Sequence, residues 1–506
     1  MGSGRAIVIG SGFGGLAAAI RLLAKGYRVT VLERLGSAGG RATVFEQDGF
    51  TFDMGPTIIT APFLLKELWA LCGRRFEDDV DLRAMDPFYR IRFDDGSHFD
   101  YCGDVDRQRA EVARLSPGDV EGFDSFMREA EVCYTLGYEE LGTVPFETLG
   151  ELISAVPSMA RMRAWESIFQ MASRHFKSHK LRQVFSFHPL LIGGNPLSVT
   201  CVYSLIPALE KHFGVHSAMG GTGAIVSGLV GLIQSKGGRI RYEADVEEIC
   251  TSEGRVSGVR LASGETLCAD IVVSNADAAT TYRELMPKTH RRVWTDRKLS
   301  RAAYSMGLFV WYFGTRRRYD ELPHHMILMG PRYEGLLSDI FTHKVLSDDF
   351  SLYLHRPTAT DPGLAPPGCD SFYVLSPVPH LDSGIDWTSQ AEPYRRAIEA
   401  RLSQTVLPGL SEQLATSRHV TPIDFQTQYR AYKGAAFGME PRLLQSAWFR
   451  PHNRSEDLPG LFLVGAGTHP GAGIPGVLTS AKAFDQLIPA YEKESEVLLG
   501  SPTLQS

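Results

Sequence analysis

Residues 5–15 constrain this chain more than any other stretch. Ala6-Ile7-Val8-Ile9 is a short, continuous apolar run, as expected of a parallel strand buried on both faces. Gly10-Ser11-Gly12-Phe13-Gly14-Gly15 follows, and residues 16–23 then read as a helix. Gly10 permits the tight turn, Gly12 lets the backbone approach a pyrophosphate, and Gly15 lets the helix pack close to the strand. The helix N-terminus offers free N–H groups and a partial positive charge to phosphate. Residues 28–32 form the second strand, which Glu33 closes. An acid at that place accepts hydrogen bonds from a ribose 2′-OH, which favours an unphosphorylated ribose, as in FAD or NAD, over NADP. A merely glycine-rich turn leaves the placement of Glu33 unexplained.

A chain of 506 residues is too long for one simple core and implies two or three domains. The net charge of -6, with no long basic run, argues against a nucleic-acid partner. Arg316-Arg317-Arg318, the densest basic cluster, reads as a solvated loop. The seven cysteines lack CxxC spacing, so they read as reduced thiols of a cytoplasmic protein, with neither a disulfide framework nor a metal site. A secretory leader is not expected, because the glycine turn and Arg21 interrupt the apolar region after Arg5. No run of 18 or more apolar residues exists, so any membrane contact is expected to be peripheral.

Further along, Gly39-Gly40-Arg41 suits a loop pressed against a phosphate with Arg41 as its cation, and equally a surface turn with a solvated arginine. Residues 90–93 and 98–101 flank Asp95-Gly96, a hairpin signal. Residues 117–211 look mainly helical. Within them, residues 152–176 interleave Ile153, Met159, Met162, Trp165, Ile168, Phe169 and Met171 with Arg161, Arg163, Arg174 and Lys177. Such an amphipathic stretch can lie in a membrane interface, although it more often packs on its own core. From Gly220 the pattern returns to short strands and helices, as if the chain re-enters the nucleotide domain. A second excursion brings aromatic strands at 306–313, 350–355 and 371–378. Both faces of the first are apolar, which fits either a buried sheet core or the floor of a large apolar pocket. Finally, residues 461–477 give an apolar strand, a glycine-rich loop and a helix running to about Tyr491. This again aims N–H groups at a ligand. One extended cofactor spanning both ends of the chain is simpler than two nucleotides, and FAD fits, with ADP at the N-terminal turn and isoalloxazine near the C-terminal loop.

The sequence from Val464 to Gly471 (VGAGTHPG), within residues 460–480, resembles the C-terminal signature of the bacterial and fungal phytoene desaturases of the flavin-containing amine oxidoreductase superfamily. Residues 49–57, 220–223, 274–277 and 447–451 are similar to that family too, and the likeness runs nearly end to end. The resemblance implies FAD held by Gly10, Gly12, Gly15, Glu33, Arg41 and the Gly55 loop, adenine contact by the Val246 backbone, and flavin contact by Gly465, Gly473 and Ile474. Many superfamily members carry an acid where this chain has Ala466, so that contact must come from backbone. The implied reaction is stepwise dehydrogenation of phytoene toward lycopene, with hydride passing from an allylic carbon to flavin N5 and a proton leaving the neighbouring carbon. Catalytic residues are not assigned. His452, Glu440 and His469 are candidate bases, and a delocalised allylic cation can also lose its proton without one. Quinone or oxygen is the expected acceptor.

The expected fold class is α/β. It comprises a Rossmann-like FAD-binding domain from residues 1–75, 215–290 and 450–500, a discontinuous α+β substrate domain from 76–116 and 291–449, and a helical subdomain, 117–214, as the candidate membrane-contacting part. The expected partners are phytoene, partly desaturated carotenoids and a lipid surface, with the protein peripheral on the inner face of the cell membrane. The rival readings are another carotenoid-pathway, amine or porphyrin flavin oxidase, and a non-enzymatic prenyl-chain carrier like the GDP-dissociation inhibitors. A carrier needs no flavin seat.

Overall fold

The computed structural model describes residues 4–491. At its centre is a five-stranded parallel sheet in the order Leu461–Leu463, Ile271–Ser274, Arg5–Ile9, Arg28–Leu32, Arg239–Arg241. Three stretches far apart in sequence thus build one sheet, with Val8 level with Val31 on one side and Val273 on the other. The Phe13–Ala24 helix lies on this sheet with residues 13–22 all buried. It sits so close that a Cβ on Gly15 would come 2.1 Å from the Gly10 carbonyl oxygen. The Gly221–Ser235 and Ile474–Leu487 helices pack beside it.

The second sheet has seven strands, in the order Leu414–Val420, Gly307–Thr315, Asp370–Val378, Leu352–His355, His325–Leu328, Tyr89–Arg92, His98–Tyr101. Only the Tyr89–Arg92 and His325–Leu328 pair is parallel. Every residue of the Gly307–Thr315 strand is buried. Alternation sorts its side chains. Phe309, Trp311 and Phe313 face a core completed by the Trp387–Thr405 helix, with Phe309 stacked 5.9 Å from Trp387 and edge-on 5.2 Å from Tyr394. Leu308, Val310 and Tyr312 face the other way, and Leu308 and Val310 reach a cavity. The two meanings left open for this strand are its two faces.

Helices dominate residues 105–213. The amphipathic stretch at 152–176 is two helices rather than one, Leu149–Arg161 and Ile168–His175. Ser167 and Gln170 form a capping box that starts the second helix afresh, so the apolar stripe is not continuous. Met162, Ile168, Met171 and Phe176 are core residues, whereas Ile153 and Trp165 are 62% and 65% exposed. Arg174 does not face outward freely, since it pairs with Glu129 at 2.7 Å and Glu166 at 2.9 Å, and Arg163 pairs with Glu166 at 2.6 Å. Leu149, Ile153 and Val156, spaced by four and three residues, form an exposed apolar face on the first helix.

Candidate active site

A cavity of about 520 Å³ draws its wall from the carboxyl ends of the parallel strands, the floor of the second sheet and the helical region. A crevice beyond the carboxyl ends of parallel strands is where open α/β sheets bind ligands. Its two ends differ in chemistry.

At one end, Gly10, Gly12, Glu33, Arg41, Gly55 and Val246 line the wall. The Phe13–Ala24 helix begins at Gly12 with no side-chain cap, so its first N–H groups open onto the cavity. Arg41 is held by a loop that only glycines permit: Gly39 has φ 115°, and a Cβ on Gly55 would come 1.9 Å from the Arg41 carbonyl oxygen. Among the described residues Arg41 makes no ion pair and its Nε has no hydrogen-bond partner. Burial lowers its pKa, and Asp277 and Tyr429 act the other way. Arg41 thus lines the cavity and does not sit on a solvated surface turn.

The Glu33 carboxylate is buried and already accepts hydrogen bonds from the Ser11 N–H at 2.8 Å, the Ser11 hydroxyl at 2.6 Å and the Leu35 N–H at 2.9 Å. It therefore pins the glycine turn as well as facing the cavity. Gly15 and Gly465 do not line the wall. Gly15 works behind it, in the helix–strand contact. Gly465, with φ 101°, would drive a Cβ to 2.6 Å from Asn275 Oδ1. The same oxygen lies 2.6 Å from where a Cβ on Gly14 would stand, so the Asn275 amide is the wedge between the two glycine loops. The sequence places Asn275 at the end of a strand, within the 274–277 stretch similar to the family, but gives it no role at the site, since an asparagine after a strand carries no signal of its own.

Gly473 and Ile474 line the cavity near its middle. There the Ile474–Leu487 helix also begins without a side-chain cap. Arg450, fully buried, donates to the carbonyls of Ala466 at 2.9 Å and Met439 at 3.0 Å and so fixes the loop before this helix. The helix at Gly221–Ser235 is different. Asp53 Oδ1 accepts from the Thr222 N–H at 2.8 Å, and the end is closed. Burial pushes the Asp53 carboxyl up to about 6.

The other end is apolar, floored by Leu308, Val310 and Leu375 and walled by Met162, Leu205 and Leu209. Its buried carboxylate, Glu210, accepts from the Tyr89 hydroxyl at 2.6 Å and has His188 at 3.4 Å. Of the three candidate bases only His469 lines the cavity. Its Nε2 donates to the Leu141 carbonyl at 3.2 Å, its Nδ1 is buried without a partner, and burial pulls its pKa down to about 4. Glu440 lies elsewhere, bound by Ser198 and Arg442 at 2.9 and 2.7 Å, and His452 donates to the Trp448 carbonyl at 2.9 Å. Neither lines the cavity.

Residues 13–483 match the family of flavin-containing amine oxidoreductases. The chain belongs to that family. It is 51% identical, over 96% of its length and 94% of the relative's, to the neurosporene-forming phytoene desaturase of Cereibacter sphaeroides. It is 48% identical, over 96% of its length and 99% of the relative's, to the lycopene-forming phytoene desaturase of Pseudescherichia vulneris. These likenesses put it in the family's carotenoid-desaturase branch. A solved oxidoreductase from Methanosarcina mazei matches with a TM-score of 0.64 at 18% identity, covering 95% of this chain and 100% of that one, which is a likeness of fold. A flavin is the cofactor of this family, and the residues fit one: two uncapped helix starts and an unpaired guanidinium face one cavity.

Proposed function

We propose that the chain is an FAD-dependent phytoene desaturase that introduces double bonds stepwise, with lycopene as the expected end product. The observation that carries this reading is one cavity with a phosphate-seeking end and an apolar end, in a chain about half identical to phytoene desaturases. Glu33 and Val246 would hold the adenosine end, the Phe13–Ala24 helix start and Arg41 the pyrophosphate, and the 465–474 loop the flavin ring. Bound there, FAD supplies a hydride acceptor. The chain contributes position. Leu308, Val310 and Leu375 exclude water and lay a hydrocarbon against the site, which matters because a polyene offers no polar handle.

The substrate partitions into lipid at roughly 0.8 kcal/mol per CH₂, so it must be collected from a bilayer. No helix among the described residues is long and apolar enough to cross a membrane. Support for peripheral docking comes from the exposed face of Leu149, Ile153 and Val156, with Trp165, and from Leu444, 70% exposed beside cavity-lining Leu443. In this reading the protein sits on the inner face of the cell membrane and passes electrons to quinone or oxygen. The test is to incubate FAD-loaded protein with phytoene liposomes, with and without a quinone, and identify the pigment. Formation of desaturated carotenoid supports the reading. Flavin-loaded protein that leaves phytoene unchanged under every acceptor refutes it.

A further inference from the structure

Each desaturation also releases a proton into a cavity whose lining is mostly apolar, and His469 gives that proton no exit, since its Nε2 ends on the Leu141 carbonyl. The floor carries three hydroxyls, those of Thr57, Tyr353 and Tyr373. Thr57 Oγ1 lies 2.7 Å from the Tyr373 hydroxyl and 3.3 Å from that of Tyr353. Beneath them is a cluster that the proposed reaction has not used. Tyr353 Oη is 2.7 Å from His325 Nδ1, His355 Nε2 is 3.0 Å from His324 Nε2, and His324 Nδ1 is 2.6 Å from Thr360 Oγ1. All three imidazoles are buried, and one nitrogen of each lies within 4.8 Å of the others. His325 and His355 are cross-strand partners with rings 5.3 Å apart. The two nitrogens of the cluster without a partner are His325 Nε2 and His355 Nδ1. His324 and Thr360 open onto a second cleft of about 330 Å³, with Arg356 and Asp320 on its wall.

We propose that Tyr353, His325, His355, His324 and Thr360 form a proton relay from the substrate cavity to this second cleft. The inference rests on the desaturase reading. In the step, the C–H bond next to the carbon that gives up hydride breaks and its electron pair becomes the new π bond. The hydride's two electrons leave to the flavin. The proton goes to the Tyr353 oxygen while the Tyr353 proton moves to His325 Nδ1. One assignment of tautomers makes each of the three hydrogen bonds a donor facing an acceptor. His325 then carries its proton on Nε2, His355 Nε2–H donates to His324 Nε2, and His324 Nδ1–H donates to Thr360. The unpaired nitrogens of His325 and His355 mark the crossing between rings, which a turn of one imidazole about its Cβ–Cγ bond accomplishes. Burial keeps all three rings neutral, with His324 pulled down to about 3. An allylic cation is acidic enough to protonate even such weak bases, and a weak base passes the proton on. Tyr353, which lines the cavity, is the catalytic residue; the histidines and Thr360 position and convey.

Tyr353→Phe and Thr360→Val each remove one hydroxyl and little volume. With phytoene liposomes under anaerobic conditions, both variants are expected to bind FAD and substrate as wild type does. Flavin reduction should slow about tenfold or more, and the solvent deuterium isotope effect of the wild type should disappear. Without substrate, ¹⁵N-histidine spectra should show the buried imidazole N–H protons exchanging with solvent at least tenfold more slowly in Thr360→Val. Unchanged reduction rates and isotope effects in both variants, or unchanged exchange, overturn the relay. So does one tightly held equivalent of zinc in purified protein, which would make the cluster a metal site. Wild type that never oxidises phytoene, yet shows the slowed exchange in Thr360→Val, would sink the desaturase reading and leave the proton path standing.

Discussion

The two ends of the cavity are built by opposite means. At the glycine end, side chains are withheld: Gly39, Gly55 and the uncapped start of the Phe13–Ala24 helix leave backbone N–H groups and one guanidinium facing the cavity. At the apolar end, side chains do the work, and Leu308, Val310 and Leu375 form a smooth floor. Backbone recognition demands particular residues at fixed spacing, because a single Cβ collides with main chain. A hydrocarbon wall demands only volume and hydrophobicity. The first end is therefore intolerant to substitution and the second tolerant but tunable.

The sharpest way to break this contrast is Gly15→Ala. Its Cβ would meet the Gly10 backbone oxygen at 2.1 Å, and main chain does not yield as a side chain does. Destabilisation of about 1–3 kcal/mol is expected by denaturant unfolding, with loss of bound flavin. Normal stability and flavin content would show that the helix has room to shift.

A second test contrasts the two open helix starts with the closed one at Gly221–Ser235. The folded pKa of Asp53, about 6, lies above its unfolded value near 4. The folded state thus binds the extra proton. That stabilisation is fully present below about pH 4 and is lost as pH rises through 6, amounting to about 3 kcal/mol. Asp53→Asn keeps an acceptor for the Thr222 N–H and should flatten this fall in unfolding experiments run from pH 4 to 7.

Arg41→Ala should weaken FAD binding by about 1.5–3 kcal/mol, measured by fluorescence titration, because a charged donor to the pyrophosphate is lost. Glu33→Ala is expected to cost a similar amount, but partly through release of the Ser11 turn. Glu33→Gln, which can still accept from Ser11, separates the two contributions. At the apolar end, Val310→Phe should leave flavin affinity and unfolding unchanged while turnover of phytoene falls about tenfold. If it loses flavin instead, the two ends are not independent.

The smallest effect concerns the outer surface. Ile153→Glu and Trp165→Glu, both at exposed positions, should reduce flotation with liposomes without changing the melting temperature. Met162→Glu should instead unfold the protein, since Met162 is 2% exposed.

What the sequence made legible follows the same divide. The turn from Gly10 to Glu33 and the glycine loop before Ile474 announce themselves, because backbone geometry restricts residue choice. The aromatic strand at Gly307–Thr315 could be recognised as buried, but an apolar side chain reads the same whether it meets a core or a cavity. The amphipathic stretch at 152–176 was legible only in part, for a related reason. Its period survives on average, yet the first helix ends at Arg161 and the Ser167 capping box starts a second one, so that Met162 and Met171 are core residues while Ile153 and Trp165 are exposed. The wedge role of Asn275, Glu210 and the His324, His325 and His355 cluster were not legible, since each gains meaning only from partners distant in the chain.

The most direct test of a single cavity with two working ends is anaerobic addition of phytoene liposomes to FAD-loaded protein, with flavin absorbance and polyene absorbance followed together. The flavin is expected to bleach as the polyene chromophore lengthens, with one flavin reduced per double bond formed, and both signals are expected to slow together in Val310→Phe. Polyene formation with no flavin bleaching, or bleaching undiminished in Val310→Phe, would contradict a single cavity with two working ends.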